Sequence, residues 1–140
     1  MAARMIAVTP SAYAYPLLIK HLLHTPLMQA PQQEIVYRDL KRFSYADLRD
    51  RIGRLARALA GMGVRPGDTV GVLDWDSNRF LEAFFAIPMM GAVLQTVNVR
   101  LSPEQIAYTI DHAGSSTLLV NDEFADLLHS SCRSCPRLGR

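Results

Sequence analysis

The sequence predicts an α/β fold: a partial doubly wound parallel sheet with flanking helices. Three observations carry that expectation. Short apolar and β-branched runs begin at Thr69, Ala92 and Thr117, the signature of buried strands. A segment of helical periodicity separates each run from the next, and strands alternating with helices at this spacing build a parallel sheet. Arg65-Pro66-Gly67-Asp68 opens the first unit as a turn, because proline pre-sets φ and glycine accepts a positive φ. Two strands joined by one such helix should lie parallel, with a right-handed crossover.

Each element has a local reason. Residues 1–15 are expected to be loosely held. Pro16 to His24 reads as a short amphipathic helix, with Pro16 in its first turn and Leu17, Leu18, Leu22 and Leu23 on its buried side. Thr25 to Gln33 reads as loop, marked by Pro26 and Pro31. Glu34 to Tyr37 and Arg42 to Phe43 form an expected hairpin around Asp39-Leu40-Lys41. Ser44 then caps the longest helix, Tyr45 to Met62, and Asp47 stands where a capping box needs an acceptor. Tyr45, Leu48, Ile52, Leu55, Leu59 and Met62 make one apolar stripe at spacings of three and four.

Thr69 to Leu73 is the first strand of the sheet. Asp76 or Ser77 caps the next helix, to which Phe80, Leu81, Phe84, Phe85, Ile87 and Met89 give a broad apolar face, and Gly91 ends it. Ala92 to Val97 is the second strand. Ser102 and Pro103 begin a helix running to about His112, with Ile106, Ala107 and Ile110 inside and Tyr108 nearer the rim. Ala113 to Ser116 turns into a third buried strand, Thr117 to Val120. Phe124 to Leu128 begins a helix, and the stretch from His129 to Arg140 has no periodicity. The organisation expected is an N-terminal segment over 1–32, an α/β region over 33–123 and a divergent basic tail over 124–140.

Bulk properties narrow the classes. A chain of 140 residues suits one domain or part of a larger one, and 49% hydrophobic residues make it globular material. A net charge of +2, with no basic stripe interleaved with aromatics, argues against a nucleic-acid partner. The two cysteines, Cys132 and Cys135, imply no disulfide framework, so a reducing, cytoplasmic setting is expected. No apolar run approaches the roughly 20 residues of a spanning helix. Thr9, Pro10 and Ser11 interrupt the apolar patch after Arg4, so neither a signal peptide nor a transit-like leader is expected.

Candidate chemistry is sparse. His21 and His24 stand three apart, which suits either a metal pair or two polar residues at a helix edge; the second reading is adopted. Arg49, Arg51, Arg54 and Arg57 read either as a phosphate or anionic-lipid face or as a solvated face balanced by Asp47 and Asp50, again the second. His129 with Cys132 and Cys135 has metal-like or redox spacing, but no second CxxC accompanies it and an unstructured tail is expected. The best strand-to-helix junction, Asp74-Trp75-Asp76-Ser77, lacks glycine and carries two carboxylates that would repel a phosphate. Asp74 and Asp76 read as an acid/base pair or a magnesium site, or as local capping and loop hydrogen-bonding groups, the reading adopted. Trp75 is taken as a packing residue. The only lysines, Lys20 and Lys41, lie in no glycine-rich loop, and neither Gly-x-Ser-x-Gly nor HExxH occurs. From the residues alone, then, no catalytic, cofactor-binding or metal-binding residue is assigned.

The wording of the chain goes further. Phe43-Ser44-Tyr45-x-x-Leu48, a long helix, Gly63-Val64-x-Pro66-Gly67-Asp68-x-Val70, and Asn98-x-Arg100-Leu101-Ser102-Pro103-Glu104-x-Ile106 follow in that order. Together they resemble the start of the AMP-forming acyl-CoA synthetases, the adenylate-forming superfamily that also holds adenylation domains and luciferases. The resemblance covers about Gln33 to Glu123. From Asp74 through Leu101 it looks most like the medium- and long-chain fatty acid–CoA ligase branch.

The resemblance implies the N-terminal subdomain of such an enzyme. It implies a two-step reaction in which ATP and a fatty acid give an acyl-adenylate and pyrophosphate, and coenzyme A then displaces AMP, with magnesium on the phosphates. It also implies that the working parts lie further along than residue 140. These are a Ser/Thr/Gly-rich loop ending in Pro-Lys-Gly, an aromatic-Thr-Glu motif, a ribose-holding aspartate and a lysine in a small C-terminal domain. None has a counterpart here. No functional residue is carried over, and no cofactor is expected to bind these 140 residues alone. Asn98 and Arg100 read as ligand contacts or as a structural turn, the latter adopted. A truncated product, through a frameshift, altered splice or incomplete gene model, is the expectation for the change of character after Glu123. The competing reading is a free-standing α/β interaction module whose open sheet edge pairs with another chain, including a second copy.

Overall fold

A computed structural model describes residues 9–11, 13 and 15–132 of the chain. The expected loose residues 1–15 lie mostly outside these, as does Cys135.

The N-terminal segment departs from the sequence expectation. A turn of 3-10 helix spans Ile19–Leu23 and runs directly into helix α1, His24–Gln29. Pro26 does not break it, because the first turn of a helix has backbone N–H groups with no intrahelical partner, so a missing one costs nothing there. Ala30 N–H donates to the Pro26 carbonyl at 3.0 Å. Of the four leucines expected inside, only Leu23 is buried; Leu17, Leu18 and Leu22 are exposed. The side that packs is instead Ile19, Leu23 and Leu27.

Strands β1 (Glu34–Tyr37) and β2 (Lys41–Ser44) form the expected antiparallel hairpin, in register from Glu34 opposite Ser44 to Tyr37 opposite Lys41. The turn is Arg38 to Leu40, one residue earlier than anticipated, and Arg38 takes the left-handed conformation at φ 49°. Helix α2, Tyr45–Gly61, follows at once. Its capping box is complete: Asp47 N–H donates to Ser44 Oγ at 3.1 Å, and Ser44 N–H donates to Asp47 Oδ2 at 2.9 Å. Leu48, Ile52 and Leu59 are buried and Leu55 packs beside them. Met62, expected on the stripe, lies past the last turn and is exposed.

The capping box supports a paired prediction. Ser44→Ala is expected to lower stability by about 1 kcal/mol, the usual cost of a lost N-cap. The Ser44 amide and then its hydroxyl, helped by Arg51 and Arg54, hold the Asp47 carboxyl below its ordinary value of 3.8. A carboxyl depressed in the folded state stabilises above its unfolded pKa, and that contribution disappears as pH falls through the folded one. The stability advantage of the parent over Asp47→Asn should therefore be full above pH 3.8 and close below it, read by urea titration across that range.

Three parallel strands form the sheet: β3 (Thr69–Leu73), β4 (Val93–Thr96) and β5 (Thr117–Val120), in the order β4-β3-β5. The turn before β3 forms as the residues dictate. Gly67 has φ 91°, Arg65 N–H donates to Asp68 Oδ2 at 2.8 Å, and Asp68 N–H donates to the Arg65 carbonyl at 3.1 Å. Helix α3 (Asn78–Met89) links β3 to β4, and α4 (Pro103–Ala113) links β4 to β5. Ser77 rather than Asp76 caps α3, accepting from the N–H groups of Arg79 and Phe80. Ser102 caps α4 in a second capping box with Gln105.

The two faces of the sheet are covered separately. Val70 and Val72 point into one apolar cluster with Leu59 of α2 and Ala83 and Ile87 of α3. Leu73 points into the other, with Ile106 and Ile110 of α4, Val97 and Phe124. This places α2 and α3 on one side and α4 on the other, the doubly wound arrangement. Gly71 shares the α4 side with Leu73. A Cβ there would stand 2.5 Å from Leu118 Cδ2 and 3.3 Å from Gln95 Oε1, so its lack of a side chain lets the strands' neighbours close.

Helix α3 carries apolar residues all round because it is wrapped on two sides. Ala83 and Ile87 meet the sheet, while Phe85 and Ala86 meet Leu48, Ile52, Phe43 and Leu23 in a third cluster. Phe84 and Met89, expected on the buried face, are exposed instead. Strand β5 is half-buried throughout rather than buried, since it pairs on one side only. After β5 a 3-10 turn (Asp122–Phe124) leads into α5, Ala125–Cys132, longer than the sequence periodicity suggested. Phe124 is buried, and Leu127 and Leu128 pack against the α4 cluster.

Candidate functional site

In an open parallel sheet, ligands sit outside the carboxyl ends of the strands where the strand order reverses. Here that point lies between β3 and β5, because the chain goes from β3 to β4 on one side and returns to β5 on the other. The residues that leave those two strands are Asp74 and Asn121.

Asp74 is saturated by its neighbours. Its Oδ1 accepts from Trp75 N–H at 2.8 Å and from Asn121 Nδ2 at 2.6 Å, and its Oδ2 accepts from Ser77 Oγ at 2.5 Å. One carboxylate thus ties the end of β3, the end of β5 and the cap of α3 together. Asp76, its suggested partner, is exposed. Trp75 packs at a tilt against Phe124, with ring centroids 4.8 Å apart and ring planes at 58°, and donates Nε1–H to Glu123 Oε2 at 2.8 Å. A nucleotide phosphate or its magnesium ion does not fit this junction. Ser77 Oγ already takes the first helical N–H groups, and the Asp74 oxygens are already bonded. Asp74→Ala should cost about 2 kcal/mol by orphaning Asn121 and Ser77. Amide exchange should quicken at Asn121, whose N–H donates to the Leu73 carbonyl at 2.9 Å.

Two concave surfaces flank the junction. A cleft of about 520 Å³ has an apolar floor of Leu55, Val72, Ala83 and Leu119, with Arg51, Arg79, Glu82, Asp74 and Asn121 on its walls. Its strongest contact is Arg51 Nε to Glu82 Oε1 at 2.6 Å, with Asn78 Nδ2 donating to the same oxygen at 3.3 Å. Arg51 is therefore not part of a solvated face: its guanidinium reaches a carboxylate that is only 9% exposed. Its companions Arg49, Arg54 and Arg57 are exposed, and Arg49 lies 3.3 Å from Asp50. A smaller hollow of about 280 Å³ at the ends of β3 and β4 is lined by Asp74, Trp75, Asp76, Phe80, Asn98 and Arg100, among others. Asn98 Oδ1 accepts from Arg100 N–H at 2.9 Å, a local turn ahead of α4.

Among the described residues the remaining candidates do not converge; the Cys132 side chain and Cys135 lie outside them. His21 Nδ1 lies 3.0 Å from Tyr15 Oη, and His24 is exposed. His129 is exposed near the end of α5. Among the described residues no cluster of three or more His, Cys, Asp or Glu has metal-binding geometry. No helix among them is long and apolar enough to cross a membrane. Sequence reading missed the buried Glu82 and the roles of Asn121 and Glu123. One signal was available for the first: Glu82 is the sole acid in α3, flanked by apolar residues on both sides.

Comparison with known proteins gives a consistent setting. Residues 24–138 match the profile of the AMP-binding enzyme family. A long-chain-fatty-acid–CoA ligase of Thermus thermophilus is 41% identical over 103 residues, 71% of this chain and 19% of that protein. A peroxisomal acetate/butyrate–CoA ligase of Arabidopsis thaliana is 36% identical over 74% of this chain and 18% of that protein. Among solved structures, an anthranilate CoA ligase in complex with anthranoyl-AMP superposes with a TM-score of 0.78 at 26% identity, covering 84% of this chain and 23% of that one. The chain spans about a fifth of the length of the curated relatives it matches.

Proposed function

The chain belongs to the AMP-binding enzyme family, and from that premise we propose that its residues form the opening scaffold of a fatty acyl-CoA ligase of the medium- and long-chain branch. The longer enzyme would join a fatty acid to coenzyme A at the expense of ATP, releasing AMP and pyrophosphate, in the cytoplasm. In this reading residues 33–123 are the ligase-like α/β region, with 1–32 and 124–140 flanking it. The observation that supports the reading most directly is the 41% identity with the Thermus long-chain ligase over 103 residues. The variety of acyl groups among the relatives' names leaves the chain-length branch to the wording of residues 74–101.

The scaffold reading has a direct test. The purified 140-residue chain, supplied with ATP, magnesium, coenzyme A and medium- or long-chain fatty acids, should release no pyrophosphate and form no thioester. Co-expression with the remainder of a related ligase should restore turnover. Thioester formation by the chain unaided would overturn the scaffold part of the reading.

A second reading rests on the sheet edges. Among the described residues, β4 and β5 each pair on one side only, which leaves rows of backbone donors and acceptors open to another chain. A free-standing interaction module would use them to bind a second copy. Sedimentation velocity over a concentration series decides this: a reversible dimer favours the module, and a monomer at all concentrations excludes it.

A further inference from the structure

The residues of β5 do not by themselves fix its register. Leu118, Leu119 and Val120 follow one another with no polar residue between them, and the whole strand is half-buried. Leu118 and Val120 pack on the α4 side of the sheet, Leu119 on the side of α2 and α3. A shift of one residue along β3 would exchange these faces, and apolar side chains would still meet apolar clusters on both. Hydrophobic burial therefore discriminates weakly between the observed pairing and its neighbour.

Gln95 supplies what that pattern lacks. It lies opposite Gly71 in β4, and Leu118 lies opposite the same glycine in β5, so the three share the α4 side. Gln95 Nε2–H donates to the Thr109 carbonyl of α4 at 2.8 Å. Its Oε1 accepts from the hydroxyl of Ser115, which is 3% exposed and stands two residues ahead of β5. Gly71 makes room for this bond, since a Cβ there would lie 3.3 Å from Gln95 Oε1 and 3.5 Å from Ser115 Oγ. One side chain of β4 thus reaches across the central strand to the residues that lead into β5. A slip of one residue would carry Ser115 roughly 3.3 Å along the strand direction. Gln95 Oε1 would then lose its donor in an enclosed site, and an unmade bond there costs more than a made one contributes.

We propose that the Gln95–Ser115 bond, formed over Gly71, sets the register of β5 on β3 and serves the uniqueness of the fold more than its stability. Its consequence lies at the ends of the strands. The observed register is the one that brings Asn121 Nδ2 to Asp74 Oδ1 at 2.6 Å and Glu123 Oε2 to Trp75 Nε1 at 2.8 Å. A slipped strand breaks both contacts and changes the junction where the strand order reverses. This does not depend on the ligase reading.

The test uses the one tryptophan as a reporter. Trp75 has no counterpart elsewhere in the chain, so its indole N–H gives a single cross-peak in a nitrogen–proton correlation spectrum, and that N–H is the donor to Glu123. The isotope-labelled full chain should show one such peak. In Gln95→Leu/Ser115→Ala the bond is replaced by apolar contact. Its melting temperature should stay within about 5 °C of the parent. A second indole peak should appear at about a tenth of the total intensity or more. In that second species the amide contacts between β3 and β5 should be displaced by one residue from the parental pairing of Val70 with Thr117 through Leu73 with Val120. A single indole peak in the folded double variant overturns the proposal, and so do two peaks that both keep the parental strand contacts. Should the double variant not fold, Ser115→Ala alone decides. A second peak with displaced contacts supports the register role, whereas one peak with a lowered melting temperature reduces the bond to a stabilising contact and overturns it.

Discussion

Arg51→Met is expected to lower the stability of the domain by about 3 kcal/mol, measured by urea unfolding at neutral pH. The reason is what the substitution leaves behind. Glu82 sits on α3 with a side chain only 9% exposed, and its Oε1 receives Arg51 Nε at 2.6 Å. Without the guanidinium, a carboxylate stays in a largely dry site with Asn78 as its remaining donor. The loss of the contact between Arg51 and the Phe43 ring, 5.9 Å from guanidinium carbon to ring centroid, adds to this. Arg51 itself is 27% exposed, which keeps the expected loss at the lower end for broken internal pairs. The double variant Arg51→Met/Glu82→Met should recover most of the loss, because it removes the stranded charge as well as its partner. If the single and double variants lose equally, the pair is not what holds α2 against α3 here.

Ile87→Ala should cost about 3 to 4 kcal/mol, and Met89→Ala, two residues away, about 0.5 kcal/mol or less. Ile87 has no exposed surface and touches the cluster of Val70, Val72, Leu59 and Val64, the contact between α3, α2 and the central strand. Removing its outer carbons leaves a void that rigid strand neighbours cannot close, and the void adds to the lost transfer energy. Met89 is 46% exposed at the end of the helix. Equal losses at the two positions would mean that α3 is rotated from the orientation described.

The contrast between those two residues shows where sequence reading stops. Features that depend on neighbours in the chain were legible: the Ser44 and Ser102 caps, a cap at Asp76 or Ser77, the Pro66-Gly67 turn, and the three strands with their intervening helices. The caps and the turn rest on a side chain meeting backbone two or three residues away, and the strands and helices on the local spacing of apolar residues. The orientation of α3 was not legible, because an apolar helix enclosed on two sides has no single stripe to read. The small residues Ala83 and Ala86 took the tightest places, and the larger Phe84 and Met89 were left outside. The N-terminal helix was misplaced because Pro26 looked like an ending and was a first-turn residue. Contacts across the fold were beyond reach altogether. Arg51 and Glu82 are 31 positions apart, and Asp74 and Asn121 are 47 apart. The sequence reading of the β3–α3 junction saw two carboxylates and no glycine; the structure adds that one of them is the knot joining β3, β5 and the α3 cap.

The first strand of the sheet to be synthesised, β3, is also its centre, with β4 and then β5 placed on either flank. As the polypeptide leaves the ribosome, the stretch from Thr69 to Thr96 is available as a closed β–α–β hydrophobic unit before any of β5 has been made. Growth of the sheet is then outward from a template that already exists, so β5, whose pairing with β3 spans the longer stretch of chain, finds its register against a formed neighbour.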